Sequence, residues 1–358
     1  MIRKLSIATT TLLGVLMLAE PLRAQDGQQA QPAEARWHEV AADAVMALLA
    51  ELPTQRAGYR TPEDAQGLRD TEELVLGKLR AMGLEPQTQE VTLPERLAQI
   101  TPEEAPTPRN IWVDLPGEGE LASEWLVVMA HTDAYFGSPG ADDNGTGVVA
   151  LLEAARLLHD RPRQRSIRLL FTTLEETGLI GAREHVVEHL EPAVDRGELS
   201  IYGAISLEML GYYSDEPGSQ RSPLPPMEGF RPPDRGDFLA ILGVRRHQPF
   251  TQALAAAMLE AEPEAGVLAI DFFVVPPPDL MRSDHAEFLI RGWPGAMLTD
   301  TANFRNPNYH TANDTLETID RDRFARAVSQ VISAIDSLAD PPAAEEAEST
   351  KKHDAETP

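Results

Sequence analysis

The 358-residue chain has no cysteine, so this chain has no disulfide, no thiolate metal ligand and no lipid-attachment cysteine. Basic residues are also scarce. There are 31 against 57 acidic ones, a formal net charge of −26, and no Lys/Arg-rich run appears after the first few residues. Nucleic acid and anionic membrane surfaces are poor partners for such a chain. Aromatic residues are only 6%, yet 42% of the chain is hydrophobic, ample for one large α/β domain or two smaller ones. The apolar stretch Leu5–Leu18 is too short to span a bilayer. It follows Met1-Ile2-Arg3-Lys4 and precedes Glu20-Pro21-Leu22-Arg23-Ala24, the plan of a secretory signal. The expectation is a leader over 1–24, export to the periplasm or medium, and no membrane anchoring after the leader is removed. Any metal would then be held by N and O ligands.

Beyond a polar linker at 25–36, apolar periodicity predicts helices over about 40–49 and from Thr61-Pro62 to a stop at Gly83. Strands are expected within 84–93, 110–115, 125–130, 166–173, 201–207, 238–244, 272–275 and 295–299. Helices are expected over 148–158, 180–190, 250–261 and 321–338, with Ser283 or Asp284 capping another. The predicted fold is α/β: one catalytic domain over 37–340, a mostly parallel mixed sheet with helices on both faces. A Pro/Gly-rich excursion at 212–236 would form a rim over the site, and the 341–358 tail would be disordered.

Several of these strands end in groups that bind metals. His131 closes the apolar run Leu126–Ala130, and a turn-rich loop carries Asp142, Asp143 and Asn144. Glu175-Glu176 follows the next strand, Glu208 the one after, and His310 lies in a late loop. In open α/β sheets ligands sit beyond the strands' carboxyl ends. One bridging carboxylate, with one His and one further carboxylate on each side, is what two metal ions require, and a fourth carboxylate is left to act as base. Asp133 could orient His131. Asp142 and Asp143 both remain possible bridges, with Asp143 preferred for its place directly before Asn-Gly-Thr-Gly. Asp284 and His285 either line the site or pack beside it. His159, His185, His189, His247 and His353 have no motif context and read as surface residues.

His131-Thr-Asp133, Gly140-Ala-Asp-Asp-Asn-Gly-Thr-Gly147, Glu175-Glu176, Leu207-Glu208-Met209, Ser283-Asp284-His285 and Tyr309-His310-Thr311 with Asp314-Thr315 resemble the motif series of the di-zinc aminopeptidases. These are the exported bacterial leucyl-type branch of the zinc exopeptidases, whose relatives include glutamate carboxypeptidases and glutaminyl cyclases. The resemblance spans roughly residues 38–338. It implies two zinc ions bridged by Asp143, one held by His131 and Glu208 and the other by Glu176 and His310. It also implies Glu175 as general base, Tyr309 as a possible oxyanion donor, and a cis Asp143–Asn144 bond. Glu208 stands where several members have Asp. The expected activity is removal of N-terminal residues from a peptide substrate. The alternatives are a carboxypeptidase using Arg282 or Arg305, a single-zinc glutaminyl cyclase, or an inactive binding module.

Overall fold

A computed structural model describes residues 38–226, 230–272 and 278–342. The expected leader, the linker, Trp37 and all of the tail beyond residue 342 lie outside the described residues.

In chain order, α1 (Ala42–Leu49) and α2 (Pro62–Ala81) lead to β1 (Gln87–Glu90), a single turn α3 (Glu95–Ala98) and β2 (Arg109–Leu115). Next come β3 (Glu124–His131), α4 (Gly147–Leu158), β4 (Ser166–Thr172), α5 (Ile180–His185), α6 (Glu191–Asp195) and β5 (Ser200–Glu208). The last described elements are β6 (Phe238–Val244), α7 (Gln248–Ala261), β7 (Gly266–Phe272), α8 (Ala286–Ile290), β8 (Gly295–Thr299) and α9 (Arg321–Ala339). The start of α2 shows why such boundaries can be read from sequence. Thr61 accepts the Asp64 N–H at 3.0 Å, Pro62 needs no donor partner, and Glu63 and Asp64 face the positive end of the helix.

All eight strands form one sheet in the order β1-β2-β4-β3-β5-β8-β6-β7. The central four, β4-β3-β5-β8, are mutually parallel, so their carboxyl ends share one edge. Antiparallel pairs flank them at β1–β2, β2–β4 and β6–β8. Alternation along β3 divides the core. Leu126, Val128 and Ala130 face α1, α2, α4, α7 and α9, whereas Val127 and Met129 face Val186, Leu190 and Phe288 on the opposite side.

Two sequence expectations are corrected here. The strand expected at 272–275 is instead β7, ending at Phe272, while 273–275 lie outside the described residues. Its position is set by pairing with β6, which runs residue for residue from Phe238↔Gly266 to Val244↔Phe272, and not by the Phe272-Phe273 pair. His185, expected at the surface, is fully buried beneath the Trp112 ring, 4.8 Å away. Arg168 donates to its Nε2 at 3.1 Å, which leaves Nδ1 to donate to Gln89 Oε1 at 3.3 Å. Desolvation and the Arg168 charge hold this imidazole well below its usual pKa, so it packs as a neutral ring.

Candidate metal centre

Register alone brings the first two groups together. Met129 pairs with Ser206, so His131 and Glu208, each two residues further on, emerge side by side at the carboxyl edge. Residues 141–146 then wind as a wide turn interrupted at Asp143 (φ −101°, ψ 90°) and Asn144 (φ −126°, ψ 39°), and the bond between them is cis. Gly140 permits this turn. It sits at φ 66°, and a Cβ there would lie 2.5 Å from the Asp143 carbonyl and 2.7 Å from the Arg56 guanidinium.

Asp143 ends up between two imidazoles. Its Oδ1 is 3.3 Å from His131 Nε2, and its Oδ2 is 3.2 Å from His310 Nε2. Glu208 Oε1 approaches His131 Nε2 at 3.5 Å, and Glu176 Oε2 approaches His310 Nε2 at 3.1 Å. The donor atoms therefore fall into two compact groups, His131–Asp143–Glu208 and Asp143–Glu176–His310, sharing one carboxylate. Asp142 is not part of either. It accepts from the Gly211 N–H at 2.9 Å and from Asn306 Nδ2 at 2.9 Å, so it fastens the loop from behind.

Glu175 is buried beside these groups, and its backbone N–H donates to Asp133 Oδ1 at 3.1 Å. The Glu176 N–H donates to the other Asp133 oxygen at 3.2 Å. The Asp133 carboxylate thus pins the turn after β4. His131 Nδ1 lies nearer the Asp133 carbonyl, at 3.1 Å, than its carboxylate, at 3.5 Å, so the backbone oxygen fixes the ring and turns Nε2 inward. The rings of Tyr135 and Tyr309 stack on His310 with centroids 4.0 and 3.7 Å away, and two near-parallel rings this close must occupy opposite faces. No side chain caps α8. Ser283 Oγ instead donates to Glu208 Oε2 at 2.8 Å, and Asp284 accepts from Thr172 Oγ1 beneath the site. His285 is wholly buried, with desolvation lowering its pKa to about 3.

Three supports escaped the sequence reading. Asp314 accepts the N–H groups of Asp142 and Asp143 at 2.9 and 3.1 Å; its place in the late-loop motif was the available signal. Ser283 has its signal in the Ser283-Asp284-His285 motif. Arg56 has none. It is buried and donates to the carbonyls of Pro53, Thr132, Pro139 and Gly140, tying the end of β3 to the metal-site loop. Arg56→Met should destabilise the fold by about 3–5 kcal/mol in denaturant titrations, since four carbonyls lose a buried cationic donor; a loss under about 1 kcal/mol would contradict this.

The electrostatics call for a cation. Burial would lower the His131 pKa, but Glu175 and Glu208 outweigh it and hold the pKa well above its usual value. His310 is likewise raised to about 9 by Asp143 and Glu176 against burial. Burial, reinforced by neighbouring carboxylates, lifts Glu175 well above its usual range and Glu176 to about 7. Among the described residues, His131 Nε2, His310 Nε2, Asp143 Oδ2 and Glu176 Oε1 are buried without a hydrogen-bond partner. Imidazole nitrogens and carboxylate oxygens orphaned around two common points fit divalent metal.

The same shifts fix a pH dependence for the metal-free protein. Glu176 (ordinarily 4.5) and His310 (ordinarily 6.5) have raised folded pKa values, so these two groups hold more protons in the folded state than in the unfolded chain between about 4.5 and 9. Above about pH 6.5, where the lowered His185 and His285 are neutral in both states, stability therefore falls as pH rises, by roughly 1.4 kcal/mol per pH unit for each excess proton. Asp143, held below its usual 3.8, acts in the opposite sense only at more acid pH. Chelator-treated protein should melt at lower temperature at about pH 8.5 than at about pH 6. A flat or rising Tm would contradict these shifts.

Beside the paired groups opens a cavity of about 630 Å³. Glu175, Glu176, Glu208, His310 and Tyr309 border one end, while Ala240, Leu242, Leu268, Ile270, Phe272 and Met297 line the sheet face beyond. Segments 220–224, 279–283 and 301–304 add to its wall, with Arg282 donating to the Tyr309 hydroxyl.

Residues 110–335 match the sequence profile of peptidase family M28. The chain belongs to that family. It is 32% identical over 255 residues to the uncharacterized protein YfbL of Escherichia coli K12, covering 66% of this chain and 75% of that one. It is 40% identical to aminopeptidase YwaD of Bacillus subtilis over 87 residues, which is 24% of this chain and 18% of YwaD. Among solved structures, the Bacillus subtilis zinc aminopeptidase BSAP superposes with a TM-score of 0.64 at 17% identity, over 86% of this chain and 98% of BSAP, which shows the shared fold. As an M28 peptidase, the chain is a hydrolase whose converging His and carboxylate groups lie where the sheet's parallel strands end.

Proposed function

We propose that this chain is an aminopeptidase that works with two zinc ions. One observation carries the reading: two groups of buried imidazole and carboxylate donors share Asp143, with inward-facing atoms that lack partners. His131 and Glu208 would hold one ion, Glu176 and His310 the other, and Asp143 both. When bound, the ions supply a water of lowered pKa and polarise the scissile carbonyl. Glu175, desolvated and raised in pKa, takes the proton of the attacking water and returns it to the leaving amine. Arg282 donates to the Tyr309 oxygen, so the phenol's own proton is free to serve the developing oxyanion.

The N-terminal choice is supported by relatives named as aminopeptidases and by the condition of the two candidate cations. Arg305 is buried and bonded to Gln220 and Tyr212, and Arg282 is engaged by Asp279, Asn303 and Tyr309. The apolar cavity favours substrates whose first residue is large and apolar. Zinc-loaded protein should cleave leucyl and phenylalanyl substrates with a free amine and not their N-acetyl forms. The reverse preference would point to a carboxypeptidase. Location in the periplasm or medium rests on the pattern of residues 1–24; no described helix is long and apolar enough to cross a membrane.

A further inference from the structure

Across His310 from Tyr309 lies a second surface. Tyr135 stacks on that face of the imidazole and is 41% exposed. Its chain neighbour Phe136 places its ring 4.5 Å from the Arg60 guanidinium, and Tyr59 lies under the same cation at 5.5 Å. Tyr59 and Phe136 pack in one apolar cluster with Leu174, the residue directly before Glu175. The Tyr135 end of this aromatic floor therefore adjoins His310, and the Tyr59–Phe136 end carries the Arg60 cation and packs on Leu174.

Arg60 is set there against its backbone preference. The Thr61 N–H bonds to the Tyr59 carbonyl at 3.0 Å, closing a three-residue turn, and Arg60 at its centre has φ 73°. A positive-φ turn of this kind is strained for any residue with a Cβ and points to a use for the side chain. That side chain is exposed, lies over two rings, and is paired with no carboxylate among the described residues. In a chain of net charge −26, with several carboxylates at the adjacent site, it is placed to receive an anion that would otherwise be repelled.

We propose that Tyr59, Arg60, Tyr135 and Phe136 form a subsite for a carboxylate on the leaving side of the scissile bond. This rests on the aminopeptidase reading: the cavity beside Tyr309 takes the first residue, and the departing chain crosses His310 onto the aromatic floor. The carboxylate is either the C-terminus of a short peptide or an acidic side chain just downstream.

The test compares a leucyl tripeptide with its C-terminal amide, and Leu-Glu-Ala amide with Leu-Gln-Ala amide, on zinc-loaded protein. The acid form of at least one pair should show kcat/KM about 5-fold higher, a preference weakened by salt. Arg60→Gln and Arg60→Gly should bring that ratio to about one, and the glycine variant, relieved of the strained φ, should melt no lower than wild type. The pair that responds identifies the source of the carboxylate. Calorimetric binding of the same pairs to zinc-loaded Glu175→Gln gives the ratio without turnover. Ratios near one in the wild-type protein, or ratios unchanged by both Arg60 substitutions, overturn the subsite. Absent hydrolysis with the binding ratio intact upholds carboxylate binding at Arg60 and overturns the aminopeptidase reading instead.

Discussion

Glu175→Gln is expected to lower kcat by roughly 10²–10⁴-fold while leaving the metal content and fold intact. The amide nearly matches the carboxylate in volume, so packing beside His131 and Glu208 is preserved. What disappears is the ability to accept a proton. The folded protein already prepares this group, because burial and the neighbouring carboxylates raise its proton affinity. KM should change little, since the amide keeps the volume that Glu175 fills at the end of the cavity. Steady-state kinetics on metal-analysed protein are the check, and a variant within about 3-fold of wild type would remove Glu175 from the proton path.

Asp143→Ala is expected to have the broadest effect on metal. Its two oxygens serve two different imidazoles, at 3.3 and 3.2 Å, so its removal takes a donor from both groups at once. Zinc content should fall from two per chain to well under one, and activity should fall below that of Glu175→Gln. Asp142→Ala separates this from damage to the loop. That variant removes the partner of the Gly211 N–H and of Asn306, so it should lower Tm while retaining more metal than Asp143→Ala. Equal zinc loss in both variants would show that loop integrity, and not ligation by Asp143, was being measured.

Much of this site was legible because its residues stand at strand ends. Leu126–Ala130 before His131 and Ile201–Leu207 before Glu208 are largely apolar runs of buried-strand length, and parallel pairing carries their successors to one edge. The choice between Asp142 and Asp143 was a preference in sequence and is a matter of direction in space. One carboxylate faces two imidazoles, and the other faces Asn306 and a backbone amide. Arg56 was invisible because its partners are carbonyls, which any residue supplies. His185 was misjudged because its burial comes from the Trp112 ring and Arg168 across the sheet, contacts that leave no local periodicity. The place of β7 depended on its pairing with β6, again a non-local fact.

The central claim is a pair of metal sites sharing one carboxylate, and metal counting tests it most directly. Zinc per chain should be measured by elemental analysis on wild type, His131→Ala and His310→Ala after dialysis against limiting zinc. The account predicts about two, one and one, because each imidazole belongs to a separate donor group. A single zinc in the wild-type protein, or two in both variants, would contradict it.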